Sequence, residues 1–203
     1  MNKRQRTDFN EAYKSYILPI YEKYQKGISL QKYATPWQVV VEQIDKVGGL
    51  NGKDVLITAN YDVAVIVAAL KASAGAKDSL SDATSYNYKS ITLLTDVVEL
   101  NTDGEVPGFD DLEIVLANLN EPDKIDMMGK KFDVVLGNPP YQTETGSTRS
   151  KAIWPEFVKL AADCTADGGY VSLIHPNAWR LGKGKGLDKL HVHLKDFHMQ
   201  YLV

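Results

Sequence analysis

Phe132-Asp133-Val134-Val135-Leu136-Gly137-Asn138-Pro139-Pro140-Tyr141 is the stretch from which the fold follows. Its first five residues are a mostly apolar run, bounded by Lys130-Lys131 and by Gly137. Such a run reads as a strand buried on both faces, as in a parallel sheet. Asn138-Pro139-Pro140-Tyr141 then falls just past its carboxyl end, where open α/β sheets bind ligands. Consecutive prolines fix φ at two positions and remove two N–H donors, so this loop is stiff. It presents a carboxamide, a backbone carbonyl and an aromatic ring with little ordering on binding. That set suits a planar base carrying an exocyclic amino group. The Asn138 carboxamide oxygen and the Pro139 carbonyl accept its two N–H bonds, and Tyr141 stacks on the ring.

Outward from this stretch the same pattern repeats. Asp54 to Ala59, Ser90 to Leu94, Glu113 to Ala117 and Tyr170 to His175 are further short strand-like runs, with helical spacing at Val63 to Ala72 and Lys151 to Ala166. Gly168-Gly169 reads as the end of the second of these helices, and Glu121 to Lys131 as a turn and a poor short helix. Leu187 to Phe197 reads as a last helix, and Met199 to Val203 opens a sixth strand. Strand and helix alternating in this way predict an α/β fold, a doubly wound and mostly parallel sheet with helices on both faces. Upstream, Thr35 is a good N-cap and Pro36 suits the first helical position, predicting a helix from Pro36 to Val47 with Val40, Val41, Ile44 and Val47 on its apolar face. Residues 7–26 have amphipathic spacing interrupted by Pro19, so residues 1–30 form an N-terminal helical segment and residues 31–203 the main domain.

The 203 residues are enough for one domain with a sizeable core, and 44% hydrophobic with 24% charged residues is ordinary for a globular protein. No apolar run approaches the roughly 18 residues of a membrane span, and the basic N-terminus lacks the apolar stretch of a secretory signal. A lone Cys164 excludes an internal disulfide and fits a reducing, cytoplasmic setting. The net charge of −3 is uneven, because Pro176 to Val203 carries five Lys and Arg against two Asp, leaving the rest at −6. A mildly basic end permits a phosphate-facing surface, and equally reads as a solvated helix face.

Asn-Pro-Pro-Tyr after a strand of the form Phe-Asp-Val-Val resembles the catalytic motif of amino-group methyltransferases that use S-adenosylmethionine. Within them the chain is most similar to the adenine-specific DNA methyltransferases of restriction–modification systems, the Eco57I-like group. The run Gly168 to Gly186 resembles the segment that follows in that group. The resemblance implies a Rossmann-like methyltransferase fold and a flipped-out adenine as substrate, with Asn138, Pro139, Pro140 and Tyr141 as the catalytic loop. It implies that Thr35-Pro36 lines the methionine end of the cofactor and that Asn118 lies near the cofactor's adenine. Asp96, at the end of the second strand, matches the place of a ribose-diol acceptor, and an Asp there also reads as a plain turn residue. The family has a glycine-rich turn after the first strand. Here that turn is Ala59-Asn60-Tyr61-Asp62, a departure that predicts weak cofactor affinity. Arg149, Lys151, Arg180, Lys183 and Lys185 are the expected DNA-binding residues.

The family's fold continues with a reversed final strand and a target-recognition region, so the resemblance implies a catalytic domain truncated before both, with recognition in a separate or missing part. No metal is required by this chemistry. Three other readings stay open at this point. Asn-Pro-Pro-Tyr is also used by methyltransferases acting on protein glutamine or on RNA. A non-catalytic interaction domain with a degenerate cofactor site fits the missing glycines. The loop also reads as a rigid turn and nothing more.

Overall fold

A computed structural model describes residues 35–59, 61–75, 86–96, 112–143, 150–176, 190, 194, 195 and 197–200, with the backbone alone at 61, 65, 69 and 72–75. The expected N-terminal helical segment lies outside these residues, as do most of the expected last helix and sixth strand. Five strands form one sheet: β1 (Asp54–Thr58), β2 (Ser90–Thr95), β3 (Leu112–Leu116), β4 (Phe132–Gly137) and β5 (Thr165–Leu173), in the order β3-β2-β1-β4-β5. Every neighbouring pair is parallel. The chain lays down β1, β2 and β3 to one side, then crosses back to place β4 and β5 on the other. The reversal leaves a crevice outside the carboxyl ends of β1 and β4, the position at which doubly wound sheets hold ligands. Register makes Thr58 the partner of Gly137, so Ala59 and Asn138 leave the sheet side by side.

Both faces of the central strands β1, β2 and β4 are covered, which is why they are apolar without alternation, while β3 and β5 at the edges are part-exposed. Val55, Ile57, Ile91, Leu93, Val134 and Leu136 point to one face and pack against helix α1 (Trp37–Lys46) and helix α2 (Tyr61–Gly75). Leu56, Leu94 and Val135 point to the other, where helix α3 (Trp154–Cys164) contributes Phe157, Leu160 and Ala161. The Lys53 ammonium donates to the carbonyls of Val47 at 2.9 Å and Gly49 at 2.7 Å, capping the end of α1 where it turns into β1.

Several boundaries differ from the sequence reading. Thr35 is not the cap of α1. Pro36 occupies that position, no side chain caps the helix, and the Pro36 carbonyl accepts from Val39 and Val40. The segment 121–131 holds a single 3₁₀ turn, Pro122–Lys124, in place of a short helix. Helix α3 begins at Trp154 and ends at Cys164, and Gly168-Gly169 lies inside β5 rather than ending the helix. The register between β4 and β5 shifts between Phe132 and Val134, and Gly168 there takes φ +77°. Gly169 has no room for a side chain, since a Cβ would stand 2.9 Å from the Asp133 carbonyl oxygen.

Candidate active site

Asn138 is the hub of the crevice. Its amide nitrogen donates to the Thr35 hydroxyl at 3.3 Å, and its amide oxygen accepts from the Tyr141 hydroxyl at 3.1 Å. Both partners are hydroxyls, which donate or accept as required, so the two bonds hold the plane of the amide in place between α1 and the loop. Burial holds the Tyr141 phenol above its ordinary pKa, so it remains a donor, while its ring is exposed at the mouth of the loop. Pro139 and Pro140 are buried and carry the stiff backbone between these two side chains.

Thr35 is itself buried, and its main-chain N–H donates to the Asp62 carboxylate at 2.6 Å. Asp62 stands in the first turn of α2, where the helix dipole favours a negative charge. The chain of bonds from Asp62 through Thr35 and Asn138 to Tyr141 therefore joins the start of α2, the entry to α1 and the end of β4. Residues more than 100 positions apart in sequence meet here, Thr35 and Asn138 being separated by 103.

The turn after β1 is built differently. Ala59 takes φ +63°, a left-handed conformation that costs an L-residue roughly 1–2 kcal/mol and that glycine adopts freely. Its N–H is pinned to the Leu94 carbonyl at 2.8 Å, and its methyl is buried in the core cluster that holds Leu56, Leu94 and Leu119. The methyl thus turns into the core and not into the crevice. An alanine here does what the expected glycine would do, at some cost in strain.

A model of the family Eco57I restriction-modification methylase matches residues 70–203. This chain belongs to that family. Its match to a Mycoplasma pneumoniae (strain ATCC 29342 / M129 / Subtype 1) protein named an uncharacterized adenine-specific methylase is 36% identical over 70 residues, covering 32% of this chain and 15% of that protein. Among solved structures, a protein described as a modification subunit of a type I restriction enzyme from Vibrio vulnificus YJ016 superposes with a TM-score of 0.58 at 15% identity, covering 96% of this chain and 44% of that one. A chain from a structure of a type I restriction–modification system gives a TM-score of 0.50 at 19% identity, over 79% of this chain and 35% of that one. This Eco57I-family chain thus spans less than half the length of each of these relatives.

The remaining expected site residues of the Eco57I-family chain fall as follows. Pro36 is exposed beside Thr35, and Asp96 is half-buried directly after β2. Asn118 follows β3, but its oxygen accepts from the Asn120 N–H at 3.1 Å and its nitrogen donates to Glu121 at 3.1 Å. Its amide is thereby used within its own turn. Lys151 is exposed. Asn60, Arg149, Arg180, Lys183 and Lys185 lie outside the described residues. Among the described residues no group of three His, Cys, Asp or Glu is placed to hold a metal ion, and no helix is long and apolar enough to cross a membrane.

Two groups that sequence alone leaves ambiguous are accounted for by packing. His175 stacks on Trp154 with ring centroids 5.2 Å apart, and its Nδ1 donates to the Pro176 carbonyl at 2.9 Å. Burial lowers its pKa, partly offset by that bond, so it is neutral at pH 7. Burial pushes the Cys164 thiol up to about 11, far from a reactive thiolate. The residue that sequence reading passed over is Gln43, buried on the inner face of α1 between Val41 and Ile44. Its nitrogen donates to the carbonyls of Gly137 and Ser172, while its oxygen is buried with no hydrogen-bond partner among the described residues. A buried acceptor left unsatisfied costs about 1–3 kcal/mol. A glutamine inside an otherwise apolar helical stripe is the only sequence signal for it.

Proposed function

We propose that this chain transfers a methyl group from S-adenosylmethionine to the exocyclic N6 amine of adenine in DNA, as the catalytic part of a restriction–modification system. The observation that carries this reading is the placement of Asn138 at the β1/β4 crevice, with its side-chain amide held between the Thr35 and Tyr141 hydroxyls on a loop stiffened by two prolines. The names of the methylase and the modification subunit to which the chain is similar support the choice of adenine and of a restriction–modification setting. Residues 31–203 would form the catalytic domain. Target recognition would come from a further region or a separate subunit, and the working compartment would be the cytoplasm.

S-adenosylmethionine supplies a methyl group on a positively charged sulfur, open to attack by an amine lone pair. Thr35, Pro36, Ala59, Asn60 and Asp96 would hold it, Asn118 being engaged by Asn120 and Glu121, and the inward-turned methyl of Ala59 leaves the crevice side of the turn to backbone. Within a duplex the adenine amine is out of reach, so the nucleotide must be extruded. The oxygen of Asn138 and the carbonyl of Pro139 then accept the two N–H bonds of the amine and set the direction of its lone pair. A carboxamide oxygen has two lone pairs, so one acceptor serves both the Tyr141 hydroxyl and the target. The ring of Tyr141 stacks on the base. Transfer leaves a surplus proton on the methylated amine, which passes to water, so the contribution of the loop is positioning. Lys151, with Arg149, Arg180, Lys183 and Lys185, would meet the phosphates, giving association that weakens as salt rises.

The test is incubation with methyl-labelled S-adenosylmethionine and DNA, followed by digestion to nucleosides. Label in N6-methyl-2′-deoxyadenosine is the expected result. Label in cytosine, in protein or in RNA, or no label with any of them, would overturn the assignment.

A further inference from the structure

Gln43 is not among the residues proposed to bind substrate, yet its side chain reaches from α1 to the carboxyl ends of two strands. A single amide nitrogen donates to the Ser172 carbonyl of β5 at 2.8 Å and to the Gly137 carbonyl of β4 at 3.2 Å. The Gly137 carbonyl belongs to the peptide group that leads into Asn138, and it also accepts from the Ile174 N–H at 2.9 Å. Two donors from different elements therefore converge on the peptide from which the Asn138 side chain departs. Helix α1 holds Asn138 from both sides: its backbone through Gln43, and its side chain through Thr35 just before the helix begins.

We propose that Gln43 is a positioning residue that sets the plane of the Gly137–Asn138 peptide and so aims the Asn138 carboxamide at the target amine. The proposal rests on the methyl-transfer reading given above. Stability is a poor explanation for this glutamine. It is buried on the face of α1 that also buries Val40 and Ile44, and its own oxygen has no partner among the described residues. Replacing it by an apolar residue relieves the unpaired oxygen but takes a donor from the Ser172 and Gly137 carbonyls, so the effects on folding oppose each other and leave little net stability. What an apolar residue cannot do is bridge two carbonyls on neighbouring strands. The neighbouring β4–β5 pair already carries a register shift at its other end, so a cross-tie at the carboxyl end fixes a pair that the ladder alone holds unevenly.

The experiment uses the full chain and Gln43→Met, which keeps length and flexibility and removes the amide. Three quantities are read: Tm, amide hydrogen exchange at Asn138 and Ile174, and single-turnover methyl transfer to DNA at saturating S-adenosylmethionine. A positioning role predicts a Tm within about 4 °C of wild type, faster exchange confined to Asn138 and Ile174, and transfer slowed roughly tenfold to a hundredfold with KM for both substrates unchanged. A Tm lowered well beyond that, faster exchange spread over the sheet, a variant that does not fold, or exchange indistinguishable from wild type overturns the proposal. Should the wild-type chain methylate no DNA at all, the DNA reading fails, and the exchange data with the Tm still decide whether Gln43 holds the Asn138 peptide.

Discussion

The ends of β1 and β4 lie side by side, yet they are built on opposite principles. The β4 end is rigid through redundancy, with two prolines, a carbonyl held by both Gln43 and Ile174, and an amide fixed at nitrogen and oxygen. The β1 end is a strained turn, an alanine at φ +63° whose N–H donates to the Leu94 carbonyl and whose methyl is buried in the core. A target amine must be presented along one line, so the loop that receives it is over-determined. A cofactor needs backbone to approach it closely, and one left-handed residue provides that. In the proposed reading β4 supplies direction and β1 supplies access.

Variants that attack the rigid end should have the larger consequences. Asn138→Ala removes the preorganised acceptor, and turnover should fall on the order of a hundredfold or more in a labelled-methyl assay while Tm barely moves. A collapsed Tm would mean that the loop is only structural. Tyr141→Ala should weaken the hold on the extruded base by roughly 1–3 kcal/mol, seen as a higher KM for DNA, and Tyr141→Phe should recover the stacking share. Thr35→Val leaves the Asn138 nitrogen without its hydroxyl partner. Losing a bond of that kind is worth about 1 kcal/mol, a several-fold drop in turnover that Thr35→Ser should restore.

Changes at the strained end should be small. Ala59→Gly relieves the left-handed strain but gives up a buried methyl, and the two effects nearly cancel at about 1 kcal/mol each. Its Tm should stay close to wild type, where the same change at an ordinary buried alanine would lower it. The end of β5 offers a control away from both. His175 has its folded pKa lowered by burial, so the unfolded chain takes up the proton first as pH falls below the ordinary value of 6.5. Stability should therefore decline from pH 7.5 toward pH 5.5, and His175→Phe, which keeps a ring against Trp154, should flatten that slope.

The sheet was legible because strands buried on both faces leave unbroken apolar runs such as Val55-Leu56-Ile57 and Val134-Val135-Leu136. The start of β5 was not. Thr165 to Gly169 is polar and glycine-rich, and only the register shift opposite Phe132 and the crowding at Gly169 explain why strand forms there. Asn138 and Tyr141 were legible as a motif, since the prolines between them declare a stiff loop. Their tether to Thr35 was not, because nothing local links positions 103 residues apart. Thr35 reads as a helix cap on propensity alone. Tertiary contacts with Asp62 and Asn138 override that role and leave Pro36 at the helix entry. Gln43 was hidden for a similar reason, since its partners are main-chain carbonyls that carry no sequence signature.

That the β4 loop directs the target amine and leaves cofactor binding to the strand ends on the β1 and β2 side is tested most directly by calorimetric titration of S-adenosylmethionine into three proteins: wild type, Asn138→Ala and Asp96→Ala. Saturable binding to wild type and to Asn138→Ala with matching affinity is the predicted result, with Asp96→Ala, altered at the proposed ribose acceptor, binding at least about tenfold more weakly. No heat with the wild-type chain, or a loss in Asn138→Ala as large as that in Asp96→Ala, would contradict the account.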